Sequence, residues 1–300
     1  MPKVSLAMPT YNGARYLREA IDAILGQSFA DFELIVVIDG SSDETREILK
    51  TYSDARIRVI DKPRNEGLPA AINTGLDAAV GDYWAWTSDD NVYLPGALAQ
   101  MAGWLDAHPD CALVAPHLYN IDENRRRLGI SDEMNCFLCR RQAALDVGRY
   151  RTEYMLVEDV DFFIRMEHRY GPPARLREPL YEFRVHATSL STTQIKKRQL
   201  VSVKLHYDLI TRGIERGDLE TLFFDRVMQA SLYKGYDWAQ QIVDFARAEK
   251  LPFADALQRR LGFYQTRHGW LWLKTNVAVG RRLKSALGKL RDRIRRPLAV

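Results

Sequence analysis

The alternation of strand and helix patterns over residues 4–116 is the feature that most constrains the fold. Short apolar runs predict strands, and between them apolar residues recur at the three- and four-residue spacing of amphipathic helices. The predicted strands are Val4–Met8, Phe32–Ile38, Ile57–Ile60, Tyr83–Thr87 and Ala112–Pro116, and the predicted helices are Ala14–Leu25, Asp43–Tyr52, Leu68–Ala79 and Leu94–Ala107. This order predicts an α/β fold with a mainly parallel sheet, in which ligands bind at the carboxyl ends of the strands.

The pattern changes towards the C-terminus. Residues 118–154 are less regular, and Asn124–Gly129 is predicted to be a turn between two strands. From about Gln194 onward the spacing is mainly helical. We therefore predict an α/β domain over residues 1–192 and a helical extension over residues 193–300.

Composition narrows the class of protein. The 300 residues are 46% hydrophobic and 27% charged, which is typical of a globular chain, and a net charge of +4 does not imply nucleic acid as a partner. Three cysteines do not form a disulfide framework, and Cys136 and Cys139 are interpreted as packing residues in preference to a redox or metal site. Neither a secretory signal nor an apolar stretch of membrane-spanning length is found in the sequence. We expect a cytoplasmic protein, either soluble or resting on a membrane face.

The last twenty residues are strongly basic. Between residues 281 and 296, eight arginines and lysines face one acid, Asp292. Four aliphatic residues recur there at helical spacing: Leu283, Leu287, Leu290 and Ile294. An amphipathic basic helix of this kind predicts binding to an anionic membrane surface. The alternative is a solvated helix whose apolar stripe docks on the α/β domain.

Three polar clusters follow predicted strands. They are Pro9-Thr10-Tyr11-Asn12-Gly13, Asp39-Gly40-Ser41-Ser42-Asp43-Glu44-Thr45 and Ser88-Asp89-Asp90-Asn91. A tyrosine can stack on a flat ring, and the Asp39 carboxylate can accept an N–H from a nucleobase. Adjacent carboxylates at Asp89 and Asp90 repel each other, which a hard cation between them and a phosphate would relieve. Ordinary strand-to-helix turns and helix caps are the alternatives.

Two further clusters lie later in the chain. Glu158-Asp159-Val160-Asp161 precedes a helical pattern, where acids also favour the helix dipole. Arg184-Val185-His186 is followed by the hydroxyl-rich segment 187–191. A cation, an imidazole and hydroxyl groups together suit a diphosphate.

Taken in order, these motifs resemble those of glycosyltransferase family 2, as found in bacteria. The resemblance rests on Pro-Thr-Tyr-Asn, Asp-Gly-Ser-Ser-Asp-x-Thr, Asn65-Glu-Gly67 with Asn73-x-Gly75, Ser-Asp-Asp and Glu-Asp. It covers residues 4 to about 191 and implies a GT-A fold, with a mainly parallel sheet and a C-terminal helical extension. Members of the family invert the anomeric carbon of the sugar they transfer.

The resemblance also assigns roles by position. It implies that Asp159 is the catalytic base and that Asp89 and His186 are ligands of Mg²⁺ or Mn²⁺. Arg184 matches a residue near the donor diphosphate, and Thr10, Tyr11 and Asp39 match residues that hold uracil. The other implied donor contacts are Pro9, Asn12, Asn65, Gly67, Asn73, Ser88 and Asp90. Family members often have Asp where this chain has Thr87, and many have Arg where it has Ile72.

The expected function is transfer of a sugar from a nucleotide-sugar donor, expected to be a UDP-sugar. The expected acceptor is a hydroxyl of a glycan or a lipid-linked glycan in cell-surface polysaccharide biosynthesis. No Gln-x-x-Arg-Trp motif is found in the sequence, so single-sugar addition is favoured over polymerisation. Two alternatives stay open. A sugar-phosphate nucleotidyltransferase would need a glycine-rich phosphate loop after the first strand, and a non-catalytic sugar-binding module would not need Asp159.

Overall fold

The computed structural model describes residues 1–213, 219, 222–223, 226–228 and 236–266. The chain divides into two compact units, Met1–Val201 and Ser202–Val300. The predicted basic helix at residues 281–300 lies outside the described residues.

The first unit alternates strands with helices. Its strands are β1 (Val4–Thr10), β2 (Phe32–Asp39), β3 (Ile57–Lys62), β4 (Tyr83–Trp86), β5 (Val92–Tyr93), β6 (Leu113–Ile121), β7 (Arg127–Ser131), β8 (Leu138–Arg140) and β9 (Ala174–Arg184). Its helices are α1 (Leu17–Leu25), α2 (Thr45–Lys50), α3 (Leu68–Ala78), α4 (Ala97–Ala107), α5 (Arg141–Asp146), α6 (Glu158–Tyr170) and α7 (Leu190–Thr193). A 3₁₀ turn, Thr152–Tyr154, lies before α6. The next helix, α8 (Ile195–Thr211), crosses the division between the units.

All nine strands of this unit form one sheet. Its order is β3-β2-β1-β4-β8-β6-β9-β5, and β7 pairs with β6. Strands β1 to β4 pair with one another in parallel, as the sequence predicts. The inserted β8 runs antiparallel to both β4 and β6, and β5 and β7 are also antiparallel to their partners. The sheet is therefore mixed, with the parallel strands β1 to β4 at the end that carries the predicted site.

Hydrophobic cores cover both faces of the sheet. Neighbouring residues of β1 and β2 point to opposite faces, so Leu6 and Val36 pack in one core while Ala7 and Val37 pack in the other. Cys136 and Cys139 are both buried and belong to these two different cores. Burial on both faces explains why β2 is apolar along nearly its whole length.

Two strands escape prediction from the sequence. The two-residue β5 is too short to show a period, and β9 begins with alternating charged residues, Ala-Arg-Leu-Arg-Glu-Pro, that resemble a solvated segment. Helix α1 also begins three residues later than predicted, at Leu17, because residues 14–16 form a turn whose Tyr16 and Leu17 N–H groups donate to the Gly13 carbonyl. These differences move no predicted cluster away from the end of its strand.

The second unit is helical where it is described. Its helices α9 (Tyr236–Ala248) and α10 (Ala254–Gln265) are joined by reciprocal amide hydrogen bonds between Gln240 and Gln258, at 2.9 and 3.1 Å. The ring of Phe223 stacks parallel to that of Phe245. Among the residues described, no helix combines the length and the apolar character needed to span a membrane.

Candidate active site

The carboxyl ends of four parallel strands meet at one edge of the sheet. Thr10 ends β1, Asp39 ends β2, Lys62 ends β3, and Ser88, Asp89 and Asp90 closely follow β4. Parallel pairing forces these ends together because each crossover helix returns the chain to the opposite edge. The clusters predicted from separate parts of the sequence are thus neighbours.

Asp89 lies against the end of β1. The Thr10 hydroxyl donates a hydrogen bond of 2.5 Å to Asp89 Oδ2. A Cβ atom on Gly13 would come within 1.9 Å of the same oxygen, so this approach requires glycine at position 13. Burial, followed by the negative charge of Asp90, raises the pKa of Asp89 to about 7. A carboxylate with this pKa gains from a cation placed beside it.

Asp90 faces a histidine from the segment after β9. His186 Nε2 lies 2.9 Å from Asp90 Oδ2, and His186 Nδ1 lies 2.8 Å from the hydroxyl of Thr188. The His186 ring also tilts against Tyr16, with ring centroids 5.6 Å apart. The sequence-predicted residues Thr10, Asp89, Asp90 and His186 therefore form two hydrogen-bonded pairs joined by the Asp89-Asp90 peptide.

Arg184 is buried and its guanidinium is occupied by protein groups. It donates to Glu19 Oε2 at 2.5 Å, to the Asp90 carbonyl at 2.8 Å and to the carbonyls of Asp122 and Glu123. It also stacks over the Tyr16 ring at 4.4 Å. These contacts fix the backbone at Asp90. A direct contact with the donor diphosphate stays a prediction, and it would need Arg184 to give up one of these bonds.

The donor set suits a divalent cation that is completed by its substrate. Asp89 and Asp90 offer carboxylate oxygens and His186 offers an imidazole nitrogen, which are ligands that Mn²⁺ accepts. Within the described part of the chain, no group of three or more His, Cys, Asp or Glu side chains converges on one metal position. Mg²⁺ commonly takes one or two carboxylates and fills its other positions with water and substrate phosphates. The residues fit such a shared site.

Asp39 is part of a closed network at the ends of β2 and β3. Its carboxylate accepts the backbone N–H groups of Glu66 and Gly67, at 2.9 to 3.1 Å, and pairs with Lys62 Nζ at 2.9 Å. Lys62 also pairs with Glu66 at 2.7 Å. Asp39 thus has three donors, and the Glu66 N–H is shared between its two oxygens. Asn65 joins the same turn by accepting the Gly67 N–H at 2.9 Å.

The remaining predicted donor contacts lie in two places. Asn12 bonds Ser41 and Ser42, which joins the loops after β1 and β2, and Tyr11 is 53% exposed at the same edge. Pro9 is buried inside β1, and Ser88 is half-buried. Asn73 lies apart from them on α3, where both atoms of its amide bond the backbone of Tyr150.

The three acids that open α6 have three different environments. Asp161 is fully buried and ion-paired with Arg151 and Arg165. Glu158 accepts the Leu156 N–H at 2.6 Å, and burial, followed by the charge of Asp159, raises its pKa to about 7. Asp159 accepts the adjacent Val160 N–H at 2.8 Å, and burial raises its pKa. Among the described residues, neither Glu158 nor Asp159 has an ion-pair partner, and the motif pattern predicts that Asp159 is the base.

Sequence reasoning missed the partners of these groups. The pairing of Lys62 with Asp39 could be predicted once the strand register is known, because Lys62 is the last residue of β3 and lies opposite Asp39. Glu19, the partner of Arg184, is 165 residues away in the sequence, and no local pattern indicates the pair. Arg165 is one helical turn after Asp161, a spacing that predicts an ion pair on a helix face.

The sheet order and the superposition on solved structures show that the chain has the GT-A fold. The chain superimposes on Staphylococcus aureus TarS, residues 1–349 in complex with UDP-GlcNAc, with a TM-score of 0.68 and 16% identity over 93% of this chain and 92% of TarS. It also superimposes on the mannosyltransferase PcManGT of Pyrobaculum calidifontis, in complex with GDP-Man and Mn²⁺. That TM-score is 0.59, at 18% identity over 97% of this chain and 88% of the other.

The chain belongs to glycosyltransferase family 2, since the family model for glycosyl transferase family 2 matches residues 5–166. It is 31% identical over 204 residues to the putative glycosyltransferase EpsE of Bacillus subtilis, covering 61% of this chain and 73% of EpsE. It is 45% identical over 97 residues to an uncharacterized glycosyltransferase of Rickettsia prowazekii, covering 32% of this chain and 30% of that protein. The match to that relative thus spans less than a third of its length.

Proposed function

We propose that this protein transfers a sugar, with inversion, from a nucleotide diphosphate donor to a hydroxyl group of a glycan or glycolipid acceptor. One observation carries the proposal. The end of β4 presents Asp89 and Asp90 with no lysine or arginine partner among the described residues, at the sheet edge where this fold binds ligands. Excess negative charge of this kind is favourable where a divalent cation and a diphosphate bind together.

The mechanism needs one base and one leaving group. Asp159 accepts the proton of the acceptor hydroxyl, whose oxygen attacks the anomeric carbon from the side opposite the nucleotide. The bond to the diphosphate breaks in the same displacement, so the anomeric centre inverts. The raised pKa of Asp159 makes its carboxylate a stronger proton acceptor than an ordinary aspartate.

A divalent metal, Mg²⁺ or Mn²⁺, would be held by Asp89 and His186, with water and substrate phosphates filling its other positions. When bound, it would neutralise the charge that grows on the departing diphosphate. The chain's own part is to keep these ligands together. The Thr10 hydroxyl holds Asp89, and Arg184 holds the Asp90 carbonyl.

The proposed donor is a UDP-sugar. Tyr11 is exposed and available to stack on a base, and the TarS structures similar in fold contain UDP-GlcNAc and UDP. Asp39 is proposed to accept the uracil N3–H. Asp39 already accepts from Lys62 and from the N–H groups of Glu66 and Gly67, so the uracil N3–H would take the remaining acceptor position of this carboxylate.

Calorimetry with UDP, CDP and GDP tests this nucleotide assignment. We expect UDP to bind most tightly and Asp39→Asn to reduce the preference. Equal affinity for the three nucleotides in the wild-type protein would contradict it.

The proposed setting is cell-surface polysaccharide synthesis, with the basic segment 281–300 binding an anionic membrane. Each basic residue near such a surface contributes about 1 kcal/mol. Co-sedimentation with anionic and neutral vesicles, with and without residues 281–300, tests the proposal. Equal binding by the truncated chain would reject the membrane role of the segment.

The activity itself is tested by release of UDP from a panel of UDP-sugars, with Mn²⁺ or with EDTA. We expect metal-dependent release by the wild-type chain and release reduced about a hundred- to ten-thousandfold in Asp159→Asn. Tight UDP binding without any turnover, over a panel that also includes acceptor glycans, would favour the non-catalytic sugar-binding module.

A further inference from the structure

Asp159 has little of its own to hold it in place. Its hydrogen bond among the described residues is to the N–H of the next residue, Val160. The position of the base therefore depends on where the first turn of α6 lies. We infer that Tyr150 and Asn73 are positioning residues that set this turn against the loop after β4, an inference that rests on the proposed function.

Tyr150 belongs to a tight turn, residues 148–151, that we call the Tyr150 turn. Gly148 and Arg149 have φ angles of 89° and 63°, so two consecutive residues adopt the left-handed conformation. Arg149 pays a steric cost there, which persists only where surrounding contacts hold the backbone. Tyr150 itself is 2% exposed. The contacts that hold this turn come from three elements of the site.

The first element is α3. Asn73 Nδ2 donates to the Tyr150 carbonyl at 2.7 Å, and Asn73 Oδ1 accepts the Tyr150 N–H at 2.9 Å. One amide side chain thus replaces a pair of backbone hydrogen bonds and fixes both the position and the direction of the turn. The resemblance implies a donor contact for Asn73, but here one N–H and one lone pair of its amide are used by the Tyr150 backbone.

The second element is α6. The Tyr150 ring stacks on Phe162, with centroids 4.3 Å apart and an angle of 12° between the rings. Phe162 is one helical turn after Asp159, so the two lie on the same side of α6. Arg165 of the same helix donates to the carbonyls of Val147 and Arg149. The Tyr150 turn therefore contacts α6 at two positions one turn apart, Phe162 and Arg165.

The third element is β4. Trp86 ends this strand and meets the Tyr150 ring edge-on, with centroids 6.5 Å apart and an angle of 90°. Asp89 lies three residues further along the chain. The rings of Trp86, Tyr150 and Phe162 thus form a continuous contact from the strand that carries the acid pair to the helix that carries the base.

A shift in any of these contacts would move Asp159 relative to the donor without touching the nucleotide. Misplacement of a reacting group by about 1 Å can reduce a rate by about a hundredfold. The expected signature is a fall in kcat with unchanged affinity for UDP. A residue that contacts the donor would produce the opposite pattern.

The test uses Asn73→Ala and Tyr150→Leu in the full chain. UDP affinity is measured by calorimetry, and kcat is measured by UDP release at saturating donor. We expect both variants to keep the wild-type UDP affinity within about threefold and to lose about tenfold to a hundredfold in kcat. The acid limb of the kcat profile against pH should also move, because the burial of Asp159 changes. Tyr150→Phe keeps the stacking ring and should recover most of the loss.

Thr74→Ala is the matched control. Thr74 is adjacent to Asn73 on α3, but its hydroxyl donates to the Ala70 carbonyl within the same helix. We expect its kcat and UDP affinity to match the wild type. If Tyr150→Leu does not fold, Phe162→Leu at the other side of the stack provides the same measurement.

Two results would overturn the inference. Weaker UDP binding with unchanged kcat in Asn73→Ala would make Asn73 a donor contact. Full kcat in both Asn73→Ala and Tyr150→Leu would show that the turn does not position the base. Failure of the proposed function is distinguishable, because the wild-type chain itself would then release no UDP.

Discussion

The carboxylates at the ends of β2 and β4 differ in their partners, because in the part of the chain that the structure describes one has a cation beside it and the other does not. At β2 and β3, Asp39 has a cation partner in Lys62 and two backbone donors. At β4, Asp89 receives a hydroxyl bond and stands beside a second carboxylate, with no ion pair among the described residues. The start of α6 repeats this contrast in one helical turn, with Asp161 paired and Asp159 unpaired within the described part of the chain. Asp39 and Asp161 are therefore tied into the fold, whereas Asp89 and Asp159 are the acids proposed to meet a metal and an acceptor.

The largest expected effect is that of replacing Asp159, the proposed base. Asp159→Asn should keep UDP binding and stability but reduce transfer about a hundred- to ten-thousandfold, because an amide cannot accept the acceptor proton. The measurement is kcat for UDP release together with calorimetric affinity. The paired control, Asp161→Asn, should instead lose stability, since it leaves Arg151 and Arg165 without their buried partner. Near-normal turnover of Asp159→Asn would transfer the role of base to Glu158.

The next effect concerns the ion pair between Lys62 and Asp39 at the ends of β3 and β2. Lys62→Met removes the cation from a buried pair and should lower the free energy of unfolding by about 3–5 kcal/mol, because the buried Asp39 carboxylate loses its cation partner. Urea denaturation at neutral pH measures the change. Asp89→Asn in the metal-free protein is the comparison, and it should cost little because it relieves repulsion from Asp90. Equal losses in the two variants would remove the distinction between the regions.

A somewhat smaller effect concerns the metal. Asp89→Ala should reduce turnover by more than about a hundredfold, the loss typical of removing one group that stabilises developing charge. Removal of divalent metal with EDTA should have a similar effect on the wild type, and Mn²⁺ should restore it. Full turnover after exhaustive chelation would show that the unpaired acids at β4 do not need a cation.

The smallest expected effect is a dependence of stability on pH. Glu158 has a pKa of about 7 in the folded chain, so the folded state binds its proton more tightly than the unfolded state does. The free energy of unfolding should therefore fall as the pH rises from about 4.5 to 7, by up to about 3 kcal/mol. Glu158→Gln should flatten this part of the curve in urea denaturation. An unchanged slope would mean that Glu158 titrates normally.

The sequence predicts which strands end at the candidate site more accurately than it predicts the contacts of each side chain there. Thr10, Asp39 and Asp89 could be placed at one edge because strand periodicity and parallel pairing are local signals. Lys62, Glu19 and the Tyr150 turn could not, since their roles depend on register and on contacts between distant segments. Strand β5 could not be predicted either, because two residues are too few to show a period.

The ion pair between Arg184 and Glu19 joins two residues that the ribosome synthesises at very different times. At about 5–20 residues per second, β9 emerges some ten to thirty seconds after α1. Until it does, the Asp90 carbonyl lacks the guanidinium that fixes it, and His186 is not yet available to the acid pair. A nascent chain that has completed β1 to β4 therefore has a partly formed sheet but no finished donor site. On the proposed function, the chain would therefore become able to bind the nucleotide late in synthesis, when almost the whole first unit has been made.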